Sequence, residues 1–240
     1  MDKQDSIKSK AKLPPIPVGN YNVELSRVLG RGSYGTVYRA KHQITEQVYA
    51  VKNITFPNDD AVKQAKMEES AQREWSILRG LDHENIVEYH DITIFSASWW
   101  IFLEFCDLGN LAQYLKKTGR ISDDSKSEIQ KQCAEAVRYI HSQDIIHRDI
   151  KLENYLVKSL HDKDLVKLSD FGLSKVVGDN PSEQTMTANK GTMLYRSPEQ
   201  FRGDKYSHKV DIFSLGLVLL VISEFSEKNR NTLPQSGKYI

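Results

Sequence analysis

The sequence predicts an α+β fold in two lobes, an antiparallel β-sheet lobe with one helix followed by a mainly helical lobe. Three observations carry this. Residues 21–56 form short alternating apolar and polar runs broken by glycine, the period of strands. One stretch, residues 60–79, instead spaces Met67, Ala71, Trp75 and Leu78 by four, four and three, the period of a helix. After Cys106 the period becomes helical over most of the chain.

Element by element, residues 1–20 hold few large apolar side chains and include Pro14-Pro15-Ile16-Pro17, so they are expected to be a flexible leader. Residues 21–105 then form the sheet lobe. Val23-Glu24-Leu25-Ser26-Arg27-Val28-Leu29 alternates, and Thr36 to Ala40 and Val48 to Lys52 follow as strands. Gly80 closes the helix of residues 60–79. Residues 86–105 supply two further strands. In the helical lobe, residues 106–240, Leu108 to Lys117 suits a short helix. Ser122 is placed to cap a long helix to about His141, with Ile129, Cys133, Val137 and Ile140 on its apolar face. A last helix starts near Val210 and is apolar through Ile222.

The composition excludes several function classes. Thirty-three basic and 32 acidic side chains give a net charge of +1, so no global field favours nucleic acid or a membrane surface. The longest apolar run, Leu215 to Ile222, is far shorter than a bilayer span. Two cysteines make a disulfide framework implausible, and a reducing, intracellular compartment, cytoplasmic or nuclear, is the expectation.

The chemistry sits in two segments. His147-Arg148-Asp149-Ile150-Lys151-Leu152-Glu153-Asn154 is followed by Asp170-Phe171-Gly172, with Asp170 sixteen positions after Asn154 (170 − 154). They supply two acids, a lysine and an amide. That set suits phosphoryl transfer: a base for a hydroxyl, a cation for a phosphate, and two oxygen ligands for Mg²⁺. Upstream, Gly30-Arg31-Gly32-Ser33-Tyr34-Gly35-Thr36-Val37 lies between two predicted strands. Glycines there let the backbone approach phosphates closely. A dinucleotide fold would need a helix after such glycines, and here a strand follows.

In order and spacing these pieces resemble the catalytic domain of eukaryotic-type serine/threonine protein kinases, over about residues 22–225. The resemblance implies a two-lobed protein-kinase-like fold and ATP and Mg²⁺ as cofactors. It implies Asp149 as catalytic base, Lys151 at the transferred phosphate, and Asn154 and Asp170 as metal ligands. Lys52 would pair with the nucleotide phosphates and be oriented by Glu74, with Glu68 and Glu69 as competitors for that role. Gly30, Arg31, Gly32, Ser33, Tyr34, Gly35, Val37, Ala50, Leu103, Glu104, Cys106 and Leu156 would line the nucleotide site, Leu103 as gatekeeper and residues 104–106 as hinge. His147 and Phe171 would stack with Leu78 and Tyr89, and Asp211 would anchor the catalytic loop's backbone. Cys106 reads as a packing residue rather than a reactive thiol.

Lys151 and Thr192, in Gly191-Thr192-Met193-Leu194-Tyr195-Arg196-Ser197-Pro198-Glu199, imply a serine or threonine acceptor on a protein substrate. Arg148 implies control by phosphorylation, by an upstream kinase or in trans, at Thr187 or else Thr185, with Arg148 and Lys175 to receive the phosphate. The activation segment looks like that of kinases acting on initiation factor 2α, and the last helix and Gly237-Lys238-Tyr239-Ile240 look like Clik-type kinases.

Three local departures from the family pattern stand out: Ser197 for alanine, Tyr155 for an aliphatic residue, and Arg196 for an apolar one. A larger one is that 29 residues follow Asp211 (240 − 211), too few for the family's remaining helices. The helical lobe is therefore expected to be truncated, with apolar surface left uncovered. This gives a rival reading, a catalytically weak nucleotide-binding regulatory module.

Overall fold

The computed structural model describes residues 13–32, 35–56, 60–119, 121–161, 163–176, 193–204 and 207–225. The chain divides into two compact units, Met1–Thr55 with Asp91–Leu103, and Phe56–His90 with Glu104–Ile240.

The first unit is built on strands β1 (Ile16–Val18), β2 (Tyr21–Gly32), β3 (Gly35–His42) and β4 (Val48–Thr55). With β5 (Tyr89–Phe95) and β6 (Ser98–Glu104) they form a six-stranded sheet in the order β1-β2-β3-β4-β6-β5. The pairs β1/β2, β2/β3 and β3/β4 are antiparallel. Alternation sets the faces. Val23, Ala40, Tyr49, Val51, Trp100 and Phe102 gather with Val18 and Tyr21 in one core, where the Tyr21 ring stacks on Phe102 at 3.7 Å.

The flexible leader expected over residues 1–20 is corrected at Ile16–Val18, while residues 1–12 lie outside the described residues. Ile16–Val18 pairs with β2, and Val18 is fully buried in the core. Pro17 is tolerated because β1 is an edge strand, where a missing N–H breaks no inner ladder.

The second unit centres on α3 (Asp123–Ser142), with Ser122 as its N-cap, accepting from the Ser125 N–H at 3.2 Å. Its buried face, Ile129, Cys133, Ala136, Val137 and Ile140, packs on α5 (Lys209–Glu224) and on β9 (Asp164–Leu168). Gln132 stitches that packing: its Oε1 accepts from the Val166 N–H at 2.7 Å and from Asn85 Nδ2 at 3.3 Å. β8 (Tyr155–Ser159) pairs antiparallel with β9, and β7 (Ile145–Ile146) with β10 (Lys175–Val176). α2 spans Leu111–Thr118, later than expected, because Asn110 and Gln113 form a capping box. α1 (Ala61–Arg79) falls in this unit and packs on the turn Phe171–Leu173.

α5 is apolar nearly all round. Val210, Leu215, Val218 and Ile222 are buried, while Ile212, Phe213 and Leu220 stand exposed among the described residues. No helix of the described residues is long and apolar enough to cross a membrane.

Candidate active site

In the first unit the sheet register aligns the nucleotide-facing candidates. Gly30 pairs with Val37 and Val37 with Lys52, so the three form one row across β2, β3 and β4. Val37, Ala50 and Lys52 share the face opposite the core cluster, because Tyr49 and Val51 alternate with them. Leu103 takes the same sense by alternation with Phe102, and is half-buried. Lys52 is itself buried, an environment an ammonium occupies only with anionic or polar partners.

The glycines differ in what they permit. A Cβ on Gly30 or Gly32 would meet nothing closer than 4.0 Å, so those positions leave room for a close ligand. A Cβ on Gly35 would lie 2.1 Å from the Asn53 carbonyl oxygen, so this glycine serves strand packing. Arg31 is exposed; Ser33 and Tyr34 lie outside the described residues.

In the second unit the catalytic segment is fastened from below. Asp211, fully buried at the start of α5, accepts the His147 and Arg148 backbone N–H groups, both at 2.8 Å. A third partner, His141 Nε2, lies 2.9 Å from the same carboxylate. Sequence reasoning found Asp211 but not His141, which looks like an ordinary helix-end residue. Arg148 and Asp170 both hold left-handed backbone, with φ of 68° and 61°, uncommon conformations that concentrate at functional sites.

Asp149 is thereby presented with two close neighbours. Lys151 Nζ donates to its Oδ2 at 2.6 Å, and Asn154 Nδ2 donates to Oδ2 at 3.0 Å and to the Asp149 carbonyl at 2.7 Å. With its amide N–H groups spent, Asn154 offers Oδ1 as an oxygen ligand. Ser169 closes the loop: its N–H and hydroxyl both donate to the Asn154 carbonyl at 2.8 Å. Asp170 follows with an exposed carboxylate. Two hard oxygen donors from Asn154 and Asp170 fit Mg²⁺ in kind.

His147 is buried and packs edge-on to Phe171 at 5.0 Å, its Nε2 3.0 Å from the Ser169 carbonyl oxygen. Leu78 and Phe171 are also buried and Tyr89 half-buried. Of the three candidate glutamates in α1, Glu74 is buried. Glu68 is half-buried against Gln64, and Glu69 is exposed and paired with Arg73 at 2.9 Å. Burial therefore singles out Glu74.

Leu108 N–H donates to the Val157 carbonyl and Val157 N–H to the Gly109 carbonyl, which lays Leu108 and Gly109 beside β8. Leu156 sits on that strand, bridged to Asn110. The Glu104 side chain pairs with Lys158 at 2.7 Å and Lys167 at 2.8 Å, contacts that sequence reading did not foresee. Burial raises the Glu104 carboxyl, but the hydrogen bonds from Lys158 and Lys167 outweigh it and hold the group below its ordinary value. Burial pushes the Cys106 thiol up to about 12, so it is a packing residue and not a nucleophile.

The three local departures have physical partners. The Tyr155 hydroxyl donates to the Cys133 carbonyl at 3.2 Å inside the core. The Arg196 guanidinium lies over the Phe201 ring at 5.8 Å. Ser197 caps α4 (Pro198–Arg202) in a box with Gln200, whose Nε2 reaches the Arg148 carbonyl at 3.4 Å. Thr185, Thr187 and Thr192 lie outside the described residues.

Residues 23–234 match the model of the protein kinase domain. Among curated relatives, rice serine/threonine protein kinase OSK3 (Oryza sativa subsp. indica) is 35% identical over 204 residues, 85% of this chain and 38% of the relative. Mouse (Mus musculus) serine/threonine-protein kinase 33 is 32% identical, covering 82% of this chain and 40% of its own. Dictyostelium discoideum serine/threonine-protein kinase dst1 is 32% identical, covering 92% and 28%. The chain thus spans well under half the length of these relatives.

Proposed function

Because the chain belongs to the protein kinase domain family, we propose that it transfers the γ-phosphoryl group of Mg-ATP to a serine or threonine hydroxyl of a protein substrate. The observation that carries this is the assembled triplet Asp149, Lys151 and Asn154, held from below by Asp211.

Each residue has a step-level role. Asp149 orients the acceptor hydroxyl and takes its proton as the oxygen bonds to the γ-phosphorus and ADP departs. Lys151, now paired with Asp149, shares its charge with the transferred phosphoryl group. Lys52 and the backbone around Gly30 and Gly32 hold the nucleotide phosphates. Val37, Ala50, Leu103 and Leu156 give the adenine apolar walls, and backbone groups of residues 104–106 take its edge. Asn154 Oδ1 and the Asp170 carboxylate would hold Mg²⁺, which would supply positive charge to the phosphate oxygens.

Thr192 shapes the acceptor site with Asp149 and Lys151. Phosphorylation at Thr187 or Thr185 raises activity through Arg148, which already fastens the metal loop by an Nε–H bond to the Leu173 carbonyl. The intact triplet argues against a nucleotide-binding module without turnover.

The test is transfer of radiolabelled phosphate to a peptide pool, with phosphoamino-acid analysis of the product. Label on serine or threonine, lost in Asp170→Ala, is the expected result. Nucleotide binding without transfer, or label on tyrosine, contradicts the proposal.

A further inference from the structure

We propose that Lys167 and Lys158 are positioning residues for the nucleotide, acting through Glu104; this rests on the Mg-ATP reading above. The Glu104 carboxylate is saturated from three directions. Lys158 Nζ bonds its Oε1 at 2.7 Å, Lys167 Nζ lies 2.8 Å from its Oε2, and the Glu88 N–H donates to Oε2 at 3.3 Å. The Glu104 N–H is committed as well, donating to the Glu88 carbonyl at 2.9 Å. With side chain and N–H both spent, the group Glu104 can offer a nucleobase is its carbonyl oxygen, and the clamp fixes where that oxygen lies.

The anchoring is well built. Lys167 is buried, and its Nζ also donates to the Ile86 carbonyl at 3.2 Å. β9 is held beside residues 85–87 by two further backbone bonds, Val87 N–H to Leu168 and Leu168 N–H to Asn85. Downstream, the Ser159 N–H donates to Asp107 at 2.9 Å, so the whole segment 104–109 is laced to β8 and β9. Buried ion clusters add little net stability, because desolvation offsets the attraction. What they supply is one geometry, and this one fixes the first residue of the segment that receives the adenine edge. β9 then leads, three positions after Lys167 (170 − 167), into Asp170.

The experiment measures Kd for ATP and for adenosine, together with kcat at saturating Mg-ATP, in the wild type, Lys167→Met, Lys167→Arg and Lys158→Met. Adenosine carries the base without phosphates, so it isolates the hinge contact. Lys167→Met raises both Kd values about tenfold, on the order of one hydrogen bond to a charged group, with kcat within about twofold. Lys167→Arg recovers most of the loss. Lys158→Met, at a half-exposed site, raises them about threefold. A cooperatively folding Lys167→Met protein that binds ATP and adenosine as the wild type does overturns the clamp and leaves the nucleotide reading standing. If Lys167→Met does not fold, an unchanged Kd in Lys158→Met overturns it. A wild type that binds neither ligand overturns the nucleotide reading and the clamp together.

Discussion

The glycine-bearing strand ends, Gly30–Gly32 of β2 and Gly35 of β3, and the catalytic loop at His147–Asn154 are fixed by opposite means. The glycine segment is held by strand register and by atoms that are missing: Gly30 and Gly32 leave open space, and Gly35 fits only because it has no Cβ. The loop is held by atoms that are present: the Asp211 carboxylate beneath it, the His147 ring within it, and the Asn154 amide across it. The difference teaches where each is vulnerable. Deleting polar groups should cripple the loop, whereas adding a methyl should disturb the glycine segment only at its packed end.

The largest effect follows from Asp211. Its truncation in Asp211→Ala leaves the buried His147 N–H, the half-buried Arg148 N–H and His141 without their acceptor. A loss of about 4 kcal/mol in urea denaturation is expected, with transfer activity falling alongside. A loss below about 1 kcal/mol would mean that the loop is held by something else.

The glycine segment gives a smaller and more selective result. Gly35→Ala forces a Cβ against the Asn53 carbonyl and should cost about 2 kcal/mol, by the same denaturation measurement. Gly30→Ala meets nothing and should change stability by less than about 0.5 kcal/mol while raising KM for ATP. Equal stability losses at the two glycines would erase the distinction between packed and open ends.

Acid stability adds a third case held by polar atoms, the Glu104 clamp on Lys158 and Lys167. Because the folded Glu104 carboxyl lies below its ordinary value of 4.5, its contribution is present above that pH. It is lost as pH falls through the lower, folded value. The unfolding midpoint should therefore drop as pH falls below about 4.5, and Glu104→Gln should flatten the slope there. The smallest effect is chemical: with its thiol pushed up to about 12, buried Cys106 should resist iodoacetamide near pH 8 until the protein is unfolded, as read by mass spectrometry.

Much of this was legible in the sequence, for reasons that differ by residue. Thr36 to Ala40 and Val48 to Lys52 are rich in β-branched and aromatic residues, and both lie inside strands. Ser122 caps α3 because a hydroxyl before an apolar helical stripe has one good use. Asp149, Lys151 and Asn154 meet because they are close in sequence. β1 was hidden since three residues with a proline at their centre are too few to show a period. The clamp on Glu104 was hidden because a strand lysine usually points to water, and Lys158 reaches a partner 54 positions away. His141 was hidden in the same way, its partner Asp211 being 70 positions distant. Pairings made only by tertiary folding leave no local pattern.

The central claim is that Asp149 serves as the base of a phosphoryl transfer. Its most direct test compares single-turnover rates at saturating Mg-ATP in the wild type and Asp149→Asn, which keeps the size of the side chain but removes its charge and its ability to take a proton. A fall of about 10³-fold with unchanged ATP affinity is predicted. Equal rates in the two proteins would contradict it.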